Sequence, residues 1–152
     1  MLGRGKPGAL FAEQRVDQHE ATDQRASSAS KTAGVTDRDT LHGGFIRFEQ
    51  QATPQWLWFA GVGYTERAPD YWERTKGNNA FLLNPEKQTQ LDLGLSWRQG
   101  DWQANASVFY AKIDDFILAQ YPNAPHFSMA GATNVDATRL GGEADISWRF
   151  AK

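Results

Sequence analysis

The chain has 152 residues, a formal net charge of −2 and a hydrophobic content of 40%. That is enough for one ordinary domain, too near neutral to argue for a nucleic-acid partner, and too apolar for a disordered chain. Cysteine is absent, which excludes disulfides and thiolate metal sites, and no run approaches the ~18 apolar residues of a membrane helix.

Residues 1–8 carry charge without an apolar segment and read as an unstructured leader, leaving 9–152 as the folded part. From 9 to 20, Leu10, Ala12 and Val16 alternate with Glu13, Arg15, Asp17 and His19, a period of two that predicts a strand. Residues 21–39 are rich in Ser, Thr, Ala, Asp and Gln without a period, which predicts a long exposed loop. A second strand is predicted over 41–51, with Ile46 and Phe48 opposed to Arg47 and Glu49. Ala52 to Gln55 is a short turn whose proline cannot sit inside a paired strand. The third strand, 56–66, places Trp56, Trp58, Ala60, Val62 and Tyr64 on one face. A second long loop is expected over 67–86. Strands at 88–98 and 102–117 then form a hairpin about the turn Gln99-Gly-Asp101. A third long loop, 118–132, contains two prolines, and a sixth strand is predicted over 134–150.

The connections therefore alternate long and short, and no 3.6-residue apolar period is long enough for a helix. Long loops at one end of the strands and tight turns at the other are the layout of an outer-membrane β-barrel. Trp56, Trp58, Trp97, Trp102, Trp148 and Phe150 share the apolar parity near the tight turns, while Tyr64, Tyr110, Tyr71 and Trp72 lie near the long loops. Two aromatic belts separated by aliphatic and small residues match the interfacial girdles of such a barrel. The predicted class is all-β, an antiparallel up-and-down meander of about six strands. Leu91, Leu93, Leu95, Val108, Leu140, Ala144 and Ile146 are expected to face lipid, and Asp92, Asn105, Glu143 and Asp145 the barrel lumen. The same parity also serves a soluble β-barrel or sandwich binding module with buried tryptophans, or a passive porin segment.

No arrangement of catalytic residues emerges. Asp114 and Asp115, as strand neighbours, are expected to point to opposite faces of a solvated rim, which rules out an acid–base pair. Ser27, Ser28 and Ser30 have no activating base nearby in the chain, and Gly61-Val-Gly63 lacks the helix that a phosphate loop needs. The protein is not expected to be an enzyme or to hold a resident cofactor. His126 and Met129 place an imidazole and a soft thioether in one loop, a donor set suited to copper; they are the candidate metal ligands. His19 and His42 flank the first long loop and are expected to be solvated. Arg67, Asp70, Tyr71 and Trp72 form a polar-aromatic cluster. They are candidates for a ligand-facing loop, while the preference of Tyr and Trp for the interface favours a role as girdle and loop anchor.

Three stretches carry a family resemblance. Leu83-Asn-Pro-Glu-Lys87 running into Leu91-Asp-Leu-Gly94, Ser107-Val-Phe-Tyr110 through Ile113-Asp-Asp-Phe-Ile117, and Asn134-Val-Asp-Ala137 through Gly141-Gly-Glu-Ala144 resemble successive strands of TonB-dependent outer-membrane receptors. Glu66-Arg-Ala-Pro-Asp-Tyr-Trp-Glu-Arg74 is similar to the copper-receptor branch. The resemblance implies a 22-stranded barrel in the Gram-negative outer membrane, in contact with its lipid, enclosing a plug domain and coupled to the TonB system. Copper would be a transported ligand. It also implies that 9–152 is a partial barrel, since the plug and the TonB box are not recognised in these residues.

Overall fold

The computed structural model describes residues 8–76, 80–121 and 131–150. Among them are six strands: β1 (Ala9–Thr22), β2 (Thr36–Gln51), β3 (Trp56–Arg67), β4 (Glu86–Gln99), β5 (Trp102–Gln120) and β6 (Gly131–Trp148). They form one antiparallel sheet in sequential order, β1-β2-β3-β4-β5-β6, so every neighbour in space is a neighbour in sequence. β1 and β6 are the two open edges. All-β architecture, strand number and meander agree with the sequence expectation.

The register carries the parity argument across the sheet. Ala12 opposes Ile46, Ile46 opposes Val62, Val62 opposes Leu91, Leu91 opposes Tyr110 and Tyr110 opposes Leu140. Below this row run Leu93 opposite Val108, Leu95 opposite Ala106, and Ala106 opposite Ala144. Because side chains alternate, one unbroken apolar face results, and Leu91, Leu93, Val108, Leu140 and Ile146 are 53–80% exposed on it. Asp92, Asn105, Glu143 and Asp145 share the opposite face; Asn105 Nδ2 donates to Asp145, and Ser107 Oγ to Glu143. Among the described residues, the buried apolar cluster is a small group at the long-loop end, Ala80, Leu83 and Ile117 packed against Ala132. A sheet that buries neither face on itself must find its apolar contacts elsewhere.

At the tight-turn end the aromatics form cross-strand pairs on the apolar face. Phe48 lies against Trp58 (5.4 Å between centroids), Trp56 against Trp97 (6.2 Å), and Trp102 stacks on Trp148 (5.4 Å, 9° between planes). Phe150 continues the row at 4.3 Å from Trp148, beyond the end of β6. On the polar face, Phe59 opposes Gly94 and Phe109 opposes Gly141. A Cβ at Gly94 would overlap the Phe59 ring, and one at Gly141 would stand 2.6 Å from the Phe109 ring. Each ring occupies the space that its glycine leaves open, and the Arg47 guanidinium sits 3.6 Å from the Phe59 centroid.

Three expectations need correction at the long-loop end. First, the strands run further than the periodicity suggests: β1 and β2 pair up to Thr22 opposite Thr36, which shortens the first loop to residues 23–35. Thr36-Asp-Arg-Asp-Thr40 is polar on both faces, so no apolar alternation marks it as strand. Second, the loop predicted over 67–86 contains a short helix, α1 (Tyr71–Thr75), and a 3₁₀ turn over Ala80–Leu82. Third, Asp114 and Asp115 do not simply alternate. Ile113 opposes Ala137 and Phe116 opposes Val135, so two residues of β5 are accommodated against one of β6. This is a β-bulge with Asp115 at φ 57°, and it reverses the parity of β5 beyond it. Ile117 is thereby aimed at Ala80 and Leu83. Asp115 is held, not loosely solvated: its carboxylate accepts from Asn84 Nδ2 (3.0 Å) and its carbonyl from Asn134 Nδ2 (2.7 Å).

Candidate ligand face at the long-loop end

The chain from Arg67 to Lys76 is built around its charges. Asp70 is the N-cap of α1: its carboxylate accepts from the Glu73 N–H (2.8 Å), while the Glu73 carboxylate accepts from the Asp70 N–H (2.8 Å). This reciprocal capping box satisfies two otherwise orphaned donors. Arg67 donates to Glu73 through Nη1 (2.9 Å) and to Glu86 through Nη2 (3.1 Å), tying the start of the loop to its return into β4. Two of the four sequence candidates, Arg67 and Asp70, thus direct their polar groups to the loop itself.

The other two face outward. Tyr71 and Trp72 are 69% and 62% exposed, with ring centroids 5.2 Å apart in an edge-to-face pair. Lys76 Nζ lies 5.7 Å from the Trp72 ring. Tyr71 also lines a cleft of about 480 Å³ shared with His19, Pro69, Arg74 and Phe81. That volume is in the range of small-molecule sites. His19 is half-buried, and its Nδ1 is enclosed without a hydrogen-bond partner, contrary to the expected solvated imidazole. His126 and Met129 lie outside the described residues.

Two buried charges hold this face in place, and neither was a sequence candidate. Arg74 is 3% exposed. Its Nη1 donates to Asp37 (2.7 Å) and to the Phe81 carbonyl (2.9 Å), its Nη2 to Asp39 (3.2 Å), and its Nε to the Pro69 carbonyl (3.2 Å). Burying a guanidinium costs several kcal/mol unless partners compensate it, so α1 is locked against β2 by the demand of this one side chain. The detectable signal was on the partner strand: Asp37 and Asp39 stand two apart, share one face, and require a cation between them.

The second is Asp23, also 3% exposed. Arg25 forks onto it, Nε to Oδ1 (2.9 Å) and Nη2 to Oδ2 (2.8 Å), and Ser30 and Thr32 hydroxyls each donate to Oδ2 at 2.7 Å. The Arg25 hydrogen bond holds the Asp23 carboxyl well below the usual carboxylate range. It outweighs the opposing effect of burial, with Ser30 and Thr32 adding to it. Arg25 Nη1 then donates to the Thr75 carbonyl (2.9 Å), joining the first loop to the end of α1. The result is a preorganised polar scaffold that presents Tyr71 and Trp72 at fixed positions.

Comparisons with known proteins agree with this architecture. A family model described as "TonB dependent receptor-like, beta-barrel" matches residues 14–151. A solved structure of the copper transporter OprC is 38% identical over 95% of this chain, with a TM-score of 0.84. The FrpB iron transporter from Neisseria meningitidis, F3-3 variant, shares the fold at 17% identity over 95% of the chain (TM-score 0.69). The hemophore receptor HasR from Serratia marcescens shares it at 13% identity over 94% (TM-score 0.56). The chain spans 24%, 21% and 28% of those three proteins respectively. No curated protein sequence matches it.

Proposed function

The chain belongs to the TonB-dependent receptor β-barrel family, and from that premise we propose that it forms a six-stranded sector of an outer-membrane uptake receptor. The carrying observation is the two-faced sheet. Its apolar face, exposed across all six strands, would contact lipid, and its face of Asp, Asn, Gln and Arg would line the lumen. Neighbouring strands would complete the barrel at the β1 and β6 edges, because unpaired N–H and C=O groups are not tolerated in hydrocarbon. A plug domain and the TonB system are the partners that such a receptor requires, and the outer membrane is its location.

The cargo we propose is copper or a metal chelate. The support is the 38% identity to a copper transporter, together with the His126 and Met129 donor set. Tyr71 and Trp72 would meet the incoming ligand at the mouth, with Arg67 and Asp70 holding their loop.

Light scattering tests the membrane reading. The chain should stay dispersed in detergent and aggregate in plain buffer, where its apolar face far exceeds what soluble monomers expose. A monodisperse 17.0 kDa monomer in plain buffer would overturn the proposal in favour of a soluble binding module. For the cargo, Cu(I) binding should weaken at least about tenfold when His126 and Met129 are both replaced by alanine, the loss of two soft ligands. Unchanged binding would remove copper ligation from this loop.

A further inference from the structure

The apolar face is not uniform. Gln14 opposes Gly44, Gly44 opposes Tyr64, Tyr64 opposes Thr89, and Thr89 opposes Lys112. This row lies one step toward the long loops from the row of Ala12, Ile46, Val62, Leu91 and Tyr110. It marks the level at which apolar side chains give way to polar ones, the level where tyrosine prefers to sit in a membrane protein. Gly44 interrupts it. A Cβ there would stand 2.7 Å from the Glu13 carbonyl oxygen, so the close approach of β1 to β2 excludes a side chain at this point. The gap is a shallow groove of about 620 Å³, lined on this face by Ala12, Gln14, His42, Ile46, Val62 and Tyr64.

The groove is amphipathic along the strand direction. Its lower end is Ala12, Ile46 and Val62, the last two 53% and 41% exposed. Its upper end holds the Gln14 amide, the His42 imidazole and the Tyr64 hydroxyl, which donates to Glu66. We propose that this groove binds one lipid of the outer leaflet, its acyl chain along Ala12, Ile46 and Val62 and its ester or amide linkage at Gln14. The inference rests on the membrane reading of the apolar face given above. Two observations choose a lipid over other occupants: the groove lies at the interfacial level, and its polarity changes in the same sense as that of a lipid. The Gly44 gap supplies a cleft where a flat girdle would offer only a surface.

Photocrosslinking tests it. The detergent-solubilised chain is mixed with a phosphatidylethanolamine that carries a diazirine on one acyl chain, irradiated, and mapped by peptide mass spectrometry. Adducts on Ala12, Ile46 and Val62 should exceed those on Leu93, Val108 and Leu140 by about fivefold, the discrimination given by burying one or two extra methylenes. Ala12→Phe fills the groove from β1 and should abolish the excess, whereas Leu140→Phe, on the same face but remote, should leave it unchanged. Even labelling of the whole face, or an excess that survives Ala12→Phe, overturns the site. Chain-to-chain adducts at the same residues would assign the groove to a second copy and overturn it equally. Failure of the underlying reading looks different: the chain would then be monodisperse without detergent.

Discussion

At the tight-turn end of the sheet, Trp56 leans on Trp97 and Trp102 stacks on Trp148. At the long-loop end, buried Arg74 reaches Asp37 and Asp39 on another element, and Arg25, which forks onto buried Asp23, reaches the Thr75 carbonyl 50 residues away in sequence. The strands are the same; the way they finish differs. Below, rings from adjacent strands meet because the ladder places them side by side, and each contributes through its own contact area. Above, separate loops are fastened by charges that are stable only when every partner is in place. The lower end should therefore respond to substitutions gradually and locally, and the upper end abruptly and over distance.

The strongest way to break this contrast is Arg74→Met. It removes a buried cation and leaves Asp37 and Asp39 facing each other, a loss of about 3–5 kcal/mol. Hydrogen exchange should speed up in 23–35 and 68–76 together, while the near-ultraviolet signal of the stacked tryptophans stays unchanged. Exchange confined to α1 would refute the linkage between the loops.

A smaller effect is expected where packing alone is disturbed. Gly94→Val puts side-chain atoms into the Phe59 ring and should lower thermal stability in detergent by about 1–3 kcal/mol. The double variant with Phe59→Ala should regain part of this; no recovery would mean that the ring is not the obstacle.

Asp70→Ala should cost about 1 kcal/mol, the usual worth of an N-cap. The change should be local: faster tumbling of the Trp72 indole in fluorescence anisotropy, with the Arg74 anchor intact. Equal anisotropy in the two proteins would show that the capping box does not order the aromatic pair.

The mildest test is acid. Asp23 has a depressed folded-state pKa, so its stabilisation is fully present above the ordinary value of 3.8 and is lost as pH falls below it toward the folded value. Between neutral pH and the onset of that window nothing should change. Below it, protease cleavage in 23–35 should accelerate while the tryptophan signal persists, and Asp23→Asn should flatten the response. A Trp signal that fades in parallel would mean that the two ends are not independent.

Much of the sheet was legible before any coordinates. Leu91, Leu93 and Leu95 against Asp92 and Gly94 define two faces without reference to any other segment. Proline at 54 and glycine at 100 stop strands where they stand, because backbone geometry is a local property. The upper strand ends were not legible because Thr36 to Thr40 is polar on both faces, one of them covered by Arg74 of a distant segment, and alternation is visible only where apolar and polar residues take turns. The loop-anchoring role of the Arg67 and Asp70 cluster was legible, but not its partners, since nothing in the spacing tells which carboxylate the Arg67 guanidinium will meet. The same holds for Arg74, whose partners Asp37 and Asp39 lie on another strand.

The sequence by itself determined the class of the protein, the order and parity of its strands, and the two aromatic belts, since each depends on neighbours one or two positions away. Only the tertiary structure decided which charges are buried, that two residues of β5 share one place at Asp115, and that Phe59 and Phe109 lie across Gly94 and Gly141. Those outcomes require segments distant in the chain to occupy one volume. That proximity arises only once the ladder has paired them, and a linear pattern contains no distance between them.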